Sequence, residues 1–373
     1  MSVRNKLSVV ELYAGTGRCA EPFRSWRRTK DIALFDINAY ARETYRANFE
    51  HANYSIVDLA RTRASTIERS AGGAVDILLG CPPCQGYSDC GKKDAEDPRN
   101  EHVQRFARYV SALQPLAFAM ENVPLLATSE RFRVFLQTIE AAGYRARAGI
   151  VNAALYGSCQ SRQRLICIGI RSDVGVSPTI PAATHGGSGT RFSYSHGRLV
   201  NLRESALSVL GVAPGSWQAV QGADAYLYRG GERAPVTLSS QIDDLDRLRD
   251  RARVRAGHVP WAHTPRILRR MRDVPEGGQW RGKTTYYSES YGRLHRKGLA
   301  RTITRFFPNP GSGRFWHPTQ NRSLTLREAA RIQGFPDSFR FLGMGIKDAD
   351  MVGNALDAQL ARVAFDVIQG ALQ

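Results

Sequence analysis

Val75-Asp76-Ile77-Leu78-Leu79-Gly80-Cys81-Pro82-Pro83-Cys84-Gln85-Gly86-Tyr87-Ser88 is the stretch that decides how this chain is read. Its apolar opening has the length and continuity of a buried strand. Two prolines then fix φ and remove backbone donors just ahead of Cys84, so the strand gives way to a rigid loop and not to a helix. A thiol at the carboxyl end of a buried strand occupies the place where open α/β sheets hold their ligands. Alone, such a cysteine is more often buried and inert. The segments on either side decide otherwise.

Upstream, Ser8-Val9-Val10-Glu11-Leu12-Tyr13 reads as a first strand, followed by Ala14-Gly15-Thr16-Gly17 and a helix near Glu21–Arg27. Strand, glycine turn and helix open a nucleotide-binding unit, because glycine lets the backbone approach a ligand closely. A second strand, Ile32–Phe35, ends at Asp36, about 20 residues past the glycines. A carboxylate there suits two ribose hydroxyls, although an N-cap to the helix Tyr40–Phe49 is the plainer reading. Asp58 closes a third, poorly marked strand.

Downstream, Gly91–Asn100 is polar and reads as a mobile loop. Val103, Phe106, Val110 and Leu113 form a helical core stripe. The strand Leu116–Met120 runs into Glu121-Asn122-Val123. A helix with Phe132, Phe135 and Ile139 on one face stops at Gly143. Arg147–Asn152 and Leu165–Ile170 read as paired strands, and between them Gln160, Arg162 and Arg164 share a side if the segment is extended. The C-terminal segment Val352-Gly353-Asn354-Ala355-Leu356 opens a last helix with Leu360 and Val363 facing inward.

In this order the motifs resemble those of the cytosine-5 DNA methyltransferases of prokaryotic type. Pro83-Cys84-Gln85 matches the family's Pro-Cys-Gln, and Glu121-Asn122-Val123 its Glu-Asn-Val. Gln160-Ser161-Arg162-Gln163-Arg164 matches Gln-x-Arg-x-Arg, while Arg327–Asp337 and Val352–Leu356 match the late motifs. Tyr13–Gly17 resembles Phe-x-Gly-x-Gly-Gly, but Tyr13 replaces Phe and Arg18 the last Gly. Arg18 alters the turn or lies near the cofactor's carboxylate. The likeness runs from residue 9 to the C-terminus, except across 175–270, which carries no motif.

The resemblance implies an α/β fold, a doubly wound and mostly parallel sheet of the S-adenosylmethionine-dependent methyltransferase kind. It implies a catalytic domain of residues 1–180 and 345–373, and a smaller DNA-recognition domain of 181–344. Carbon 5 of cytosine is too weak a nucleophile to accept a methyl group directly, and a thiolate adding at carbon 6 makes it enamine-like. Cys84 is the expected nucleophile. Glu121 is expected to bind the Watson–Crick edge, Arg164 the base carbonyl and Arg162 the adjacent backbone. Tyr13, Ala14, Gly15, Thr16, Gly17, Asp36, Ile37, Asp58, Pro83, Asn354 and Ala355 are the expected S-adenosyl-L-methionine contacts. Gln85, Ser88, Gln160, Arg301 and Thr302 are the expected DNA contacts. No metal is implied. The cytosine must be flipped out of the duplex, at a cost of a few kcal/mol.

Composition agrees with a polyanionic partner. The 373 residues suffice for one large or two smaller domains. A net charge of +18 and a pI near 10.0 favour nucleic acid over a membrane surface. Basic residues outnumber acidic ones by about two to one across 171–300, where glycine, serine and aromatics such as Trp261, Trp280 and Tyr291 interleave with arginine. Gln241–Arg255 reads as a solvated helix.

Six cysteines in a chain of this length, with no signal peptide at Met1–Val10, point to a reducing compartment. The expectation is a cytoplasmic, nucleoid-associated monomer, its partner endonuclease, if any, encoded separately. Three rivals stand at this point, and one of them, a catalytically silent DNA-binding homologue, is opposed by the intact Cys84 and Glu121. A relative with the same chemistry on transfer RNA carries Cys-Phe-Thr after Glu-Asn-Val, where this chain has Pro124-Leu125-Leu126. A redox or zinc reading of Cys81-Pro82-Pro83-Cys84 lacks a second Cys/His pair at suitable spacing.

Overall fold

The computed structural model describes residues 6–83, 97–185, 191–193, 217–219, 226–229, 232–245, 257–282 and 289–373. In chain order its first part runs β1 (Leu7–Leu12), β2 (Thr29–Asp36), α1 (Ala39–Arg46), β3 (Asn53–Ile56), α2 (Ala64–Ser70), β4 (Ile77–Gly80), α3 (Glu101–Leu113), β5 (Ala117–Asn122), α4 (Glu130–Ala141), β6 (Tyr144–Asn152), β7 (Gln160–Ser161) and β8 (Gln163–Arg171). Seven of these strands form one sheet in the order β3-β2-β1-β4-β5-β8-β6. The first five are parallel, and β8 runs antiparallel to both β5 and β6.

From β1 the chain steps outward through β2 to β3, then returns to lay β4 on the other side of β1. Such a reversal opens a crevice beyond the carboxyl ends of the two central strands. All six residues of β1 are buried, as expected of a parallel strand covered on both faces. Val10 and Leu12 pack with Leu78, Phe106 and Phe118 on one face of the sheet. Leu7 and Val9 pack with Phe23, Leu360 and Phe365 on the other. Glu11 shares the parity of Val9 and is only 1% exposed.

The helices follow from their apolar spacing. In α3, Val103, Phe106 and Val110 are fully buried; burying each side chain of this kind stabilises by about 1.5–3 kcal/mol. The Ser129 side chain caps α4 by accepting the Phe132 N–H, and Phe132, Phe135 and Ile139 face inward. Gly143 follows at φ +89, a left-handed turn that glycine takes without strain.

The second part contains a short three-stranded sheet in the order β10-β11-β9, built from β9 (Arg191–Ser193), β10 (Trp217–Ala219) and β11 (Tyr226–Arg229). It also holds α5 (Pro265–Arg272), β12 (Ala300–Arg301) and α6 (Leu326–Ile332). A third apolar cluster joins Leu238, Leu294, Phe307, Phe315, Leu324 and Phe335. It draws in Cys159, Val352 and Ala355 as well, so the two parts share a core where they meet. β12 pairs in parallel with β7, Ala300 opposite Gln160. The chain ends with α7 (Ile346–Asn354) and α8 (Ala358–Ala371). The second of these lays Leu360, Ala364, Phe365 and Ile368 on the sheet.

Three local expectations change, and a fourth lies mostly outside the described residues. The helix near Glu21–Arg27 is a short 3-10 stretch, Glu21–Ser25, with proline in its first turn. The third strand stops at Ile56, two residues before Asp58. Gly353-Asn354 ends α7 and does not open the last helix; that helix starts at Ala358, where the Asp357 side chain accepts the Gln359 N–H. Of Gln241–Arg255, only Gln241–Leu245 is described, and it carries the end of one helical turn, Ser239–Ile242.

Candidate active site

β4 ends at Gly80, where an added Cβ would lie 2.6 Å from the Phe106 ring; glycine is what lets α3 pack this close. Cys81, Pro82 and Pro83 follow, Pro83 half-buried. Cys84, Gln85 and Ser88 lie outside the described residues, as do 91–96 of the expected mobile loop.

The neighbouring strand β5 supplies the next groups. Its parallel register sets Met120 opposite Gly80, so Glu121 and Asn122 emerge level with the start of the proline loop. The Asn122 amide donates to the Pro82 carbonyl at 3.0 Å, and its side-chain oxygen accepts the Val123 N–H at 2.8 Å. One asparagine therefore ties the two motifs together, two residues ahead of Cys84. Glu121 lies on the far side of the same strand end. Its Oε1 is 2.7 Å from Arg164 Nε, with both side chains mostly buried at 13% and 15% exposure. Arg164 is held in turn by the Gln163 carbonyl at 2.7 Å.

Gln160, Arg162 and Arg164 do not form one row of donors toward DNA. The strand breaks between Ser161 and Gln163, so period 2 is lost there. Gln160 is fully buried, and its amide donates to Gln333 Oε1 and Asp357 Oδ2, both at 2.7 Å. Its side-chain oxygen accepts the Ile303 N–H at 3.2 Å. Arg162 is 2% exposed and donates to the carbonyls of Ile303 at 2.9 Å and Ala355 at 3.1 Å. Burial, with Arg164 nearby, pulls its guanidinium down to about 9. In this structure both side chains join the two parts of the molecule and offer no free edge to a duplex. Thr302 donates to the Ser161 carbonyl at 2.9 Å, while Arg301 is exposed and pairs with Glu289 at 3.3 Å.

On the other side of the crevice lies the glycine turn. Tyr13, Gly15 and Gly17 have positive φ, at 56°, 50° and 71°. A bulky residue held there carries strain of order 1–3 kcal/mol, a cost met most often at functional sites. The Tyr13 hydroxyl is 3.2 Å from His102 Nδ1 at the start of α3. Gly15 donates its N–H to Asp36 Oδ2 at 2.8 Å, and Asn38 donates to Oδ1 of the same carboxylate at 2.8 Å. The N-cap of α1 is Asn38, not Asp36. Burial pushes the Asp36 carboxyl above the usual carboxylate range, against those hydrogen bonds.

Ile37 beside it is 68% exposed, a bare apolar side chain next to a fixed acid. Ala14 and Thr16 are buried, and Thr16 Oγ1 has no hydrogen-bond partner among the described residues. Asp58 is spent on a turn, accepting the Ala60 N–H at 2.8 Å. Asn354 is exposed, whereas Ala355 is buried with its carbonyl held by Arg162 and Gln333.

Three residues of this region carry no sequence signal of their role. Glu11 accepts the N–H groups of Cys19 and Ala20. Asp357 joins Ser158 and Gln160. His102 meets Tyr13 across 89 residues of sequence. Only Asn122 was marked, by its place beside Glu121.

A switch point flanked by a glycine turn with its acid on one side, and by Cys81-Pro82-Pro83 with a Glu–Arg pair on the other, is where open α/β enzymes hold their ligands. The profile of the C-5 cytosine-specific DNA methylase family matches residues 7–370, and the chain belongs to that family: it is a DNA (cytosine-5-)-methyltransferase. Its relatives include the type II methyltransferase M.DdeI of Desulfomicrobium norvegicum, 27% identical over 97% of this chain and 88% of that protein. The type II methylase M.HgiDII of Herpetosiphon aurantiacus is 30% identical over 80% of this chain and 77% of its own length. Among solved structures, the Entamoeba histolytica methyltransferase EhMeth shares the fold with a TM-score of 0.65 at 16% identity, covering 99% of this chain and all of that one. Family membership implies a DNA substrate and S-adenosylmethionine as methyl donor. Among the described residues no helix is long and apolar enough to cross a membrane.

Proposed function

We propose that this enzyme methylates carbon 5 of cytosine within a specific duplex sequence, as the modification half of a restriction–modification system, with Cys84 as nucleophile. The observation that carries the reading is the Glu121–Arg164 pair, 2.7 Å apart on a strand end whose next residue, Asn122, holds the cysteine loop through Pro82. The type II names of the relatives support the restriction–modification part.

In this mechanism a flipped cytosine takes Arg164's place beside Glu121. The Glu121 carboxylate binds the Watson–Crick edge, accepting from the amino group and stabilising a proton at ring nitrogen 3. Arg164 swings its donors to the base carbonyl. The Cys84 thiolate adds at carbon 6, and the electron pair pushed to carbon 5 makes that atom nucleophilic; the adduct resolves when carbon 5 gives up its proton to solvent and the sulfur is expelled from carbon 6. Arg162 keeps the Gln-x-Arg-x-Arg segment in place through the carbonyls of Ile303 and Ala355.

The turn fits the cofactor that the family implies. The open space at Gly15, the unpartnered Thr16 hydroxyl, the Asp36 carboxylate and the bare Ile37 side chain are the groups that would hold it, with Tyr13, Ala14, Gly17, Pro83 and the Asn354-Ala355 corner around them. When bound, S-adenosylmethionine supplies an electrophilic methyl group. Residues 1–180 and 345–373 carry this chemistry and 181–344 choose the sequence; the third apolar cluster is the joint between them. The enzyme acts as a monomer in the cytoplasm, on nucleoid DNA.

Bisulfite sequencing of DNA from cells expressing the protein tests the activity and reads the target at once. Protection of one sequence context is expected; scattered or absent protection overturns the reading. A duplex carrying 5-fluorocytosine should trap wild type covalently at Cys84 and fail to trap Cys84→Ser. An adduct at Cys81 would move the nucleophile.

A further inference from the structure

Cys19 and Cys81 meet at the switch point. Cys19 lies two residues beyond Gly17, and Cys81 directly follows Gly80, the last residue of β4. Their strands are neighbours, with Leu12 opposite Gly80. The two Sγ atoms are 3.2 Å apart, and both residues are half-buried. The other described cysteines differ: Cys159 and Cys167 are 2% and 0% exposed in apolar clusters. The mechanism proposed above uses neither thiol of the pair.

Their surroundings set how the pair reacts. Glu11 accepts the Cys19 N–H at 3.3 Å and the Ala20 N–H at 2.8 Å, so its carboxyl sits against the Cys19 end. The hydrogen bond from Cys81 favours ionisation of Cys19, but burial and the fields of Glu11 and Glu121 outweigh it and leave the Cys19 thiol pushed up to about 11. Cys81 is raised as well, by its bond to Cys19 and by burial. Raised in this way, the pair is mostly thiol at neutral pH, so exchange proceeds through its small thiolate fraction. The contact lacks only the last ~1.2 Å of approach to the ~2.05 Å of a disulfide.

We infer that Cys19 and Cys81 are a modification site, an oxidisable dithiol whose disulfide ties the glycine turn to the cysteine loop and reversibly stops methyl transfer. With a small disulfide as oxidant, one cysteine sulfur gives up its proton and attacks, expelling one small thiol. The second cysteine sulfur attacks the resulting mixed disulfide and expels the other. Two protons leave with the two small thiols; the cysteine pair is oxidised and the reagent reduced. The first proton passes to solvent, because Glu11 itself keeps its proton up to about pH 8. Pro82 and Pro83 have fixed φ, which leaves fewer backbone torsions beyond Cys81 to absorb a pull on it. The loss of activity rests on the function proposed above; formation of the bond does not.

The test incubates the full-length enzyme with glutathione disulfide, maps peptides without reduction, and measures DNA methylation before and after dithiothreitol. A Cys19–Cys81 cross-linked peptide should appear, with activity reduced roughly 100-fold, the scale of an ångström-sized misplacement at a reacting centre, and restored on reduction. Cys19→Ser and Cys81→Ser should both keep their activity through the same oxidation. The inference is overturned by absence of the cross-link, by a cross-linked enzyme that stays active, or by Cys19→Ser losing activity like wild type, which would point to another thiol. A protein that forms the cross-link yet never methylates DNA would remove the proposed function and leave the dithiol standing.

Discussion

The guanidinium of Arg18 lies over the ring of Phe335, 4.4 Å from its centroid, and donates to the Gly334 carbonyl at 2.9 Å. Arg18 is 3% exposed and also pairs with Glu21. The residue that stands in place of a family glycine is thus a strut from the cofactor turn to the segment after α6. Gly334 is shaped for the contact: its φ is +80, and an added Cβ would come within 2.5 Å of Ala358 Cβ.

Arg18→Ala should therefore lower stability by about 1–3 kcal/mol, the cost of a buried acceptor and an ion-pair partner left unmade. Arg18→Lys should recover little of it, because an ammonium has neither the planar face nor the forked donors. Urea unfolding midpoints measure both. A lysine variant as stable as wild type would show that charge alone holds this joint.

Glu11 gives a pH test. Its carboxyl is 1% exposed, and burial pushes it up to about 8 despite the two N–H groups it accepts. An acid whose folded pKa exceeds its unfolded value keeps, in the folded state, a proton that the unfolded chain has released. Its contribution to stability is full below the ordinary glutamate value of 4.5 and is lost as pH rises through about 8. Glu11→Gln cannot titrate. Between about pH 5.5 and about pH 8.5, wild type should lose stability relative to Glu11→Gln by a few kcal/mol. Parallel denaturation curves at the two pH values would mean that Glu11 is already ionised in the fold.

Glu121 and Arg164 should separate chemistry from folding. Glu121→Gln keeps the shape and a hydrogen-bonding oxygen but not the charge, and methyl transfer should fall roughly 10²–10⁴-fold, the range for a lost acid–base group. Arg164→Ala leaves Glu121, 13% exposed, without its partner at 2.7 Å. It should cost about 1–3 kcal/mol of stability on top of the activity. Single-turnover rates and thermal unfolding, run on both variants, decide. Full activity in Glu121→Gln would take that carboxylate out of the mechanism.

Much of this was legible because the informative residues lie close in sequence. β4 shows as a continuous apolar run, and β1 and β5 as mostly apolar ones, since strands buried on both faces have little polar side to display. The glycine turn and Asp36 declare themselves by spacing. The fate of Gln160 and Arg162 could not be seen that way. Their partners, Ile303, Gln333, Ala355 and Asp357, come from 141 to 197 residues downstream, and the period-2 argument assumed an unbroken strand where β7 ends at Ser161. Gly353-Asn354 read as a helix start because an asparagine before apolar spacing resembles a cap; the spacing of α7 before it was hidden by Lys347, Asp348 and Asp350. Glu11 was invisible for another reason. A buried carboxyl inside a strand breaks the pattern on which strand assignment rests.

The second part sorts its arginines by burial, and DNA binding should follow that sorting. Arg293 is 4% exposed and donates to the carbonyls of Val274, His317 and Gln320 and to Asn321 Oδ1, at 2.7–2.9 Å. It organises the loops that carry α5, and Arg293→Ala should unfold them. On α5 itself, Met271 is fully buried and Arg270 stacks on Trp280 at 3.9 Å, which fixes the helix in place. Arg266 and Arg269, one turn apart, are exposed. Neighbouring exposed arginines on a packed helix suit phosphates better than bases. Arg266→Ala and Arg269→Ala should weaken binding to all duplexes alike, each reducing the slope of log affinity against log salt by about 1. The methylated sequence should not change. If either variant instead relaxes the target at a single base pair, while the salt slope holds, that arginine reads a base edge and α5 is a recognition helix.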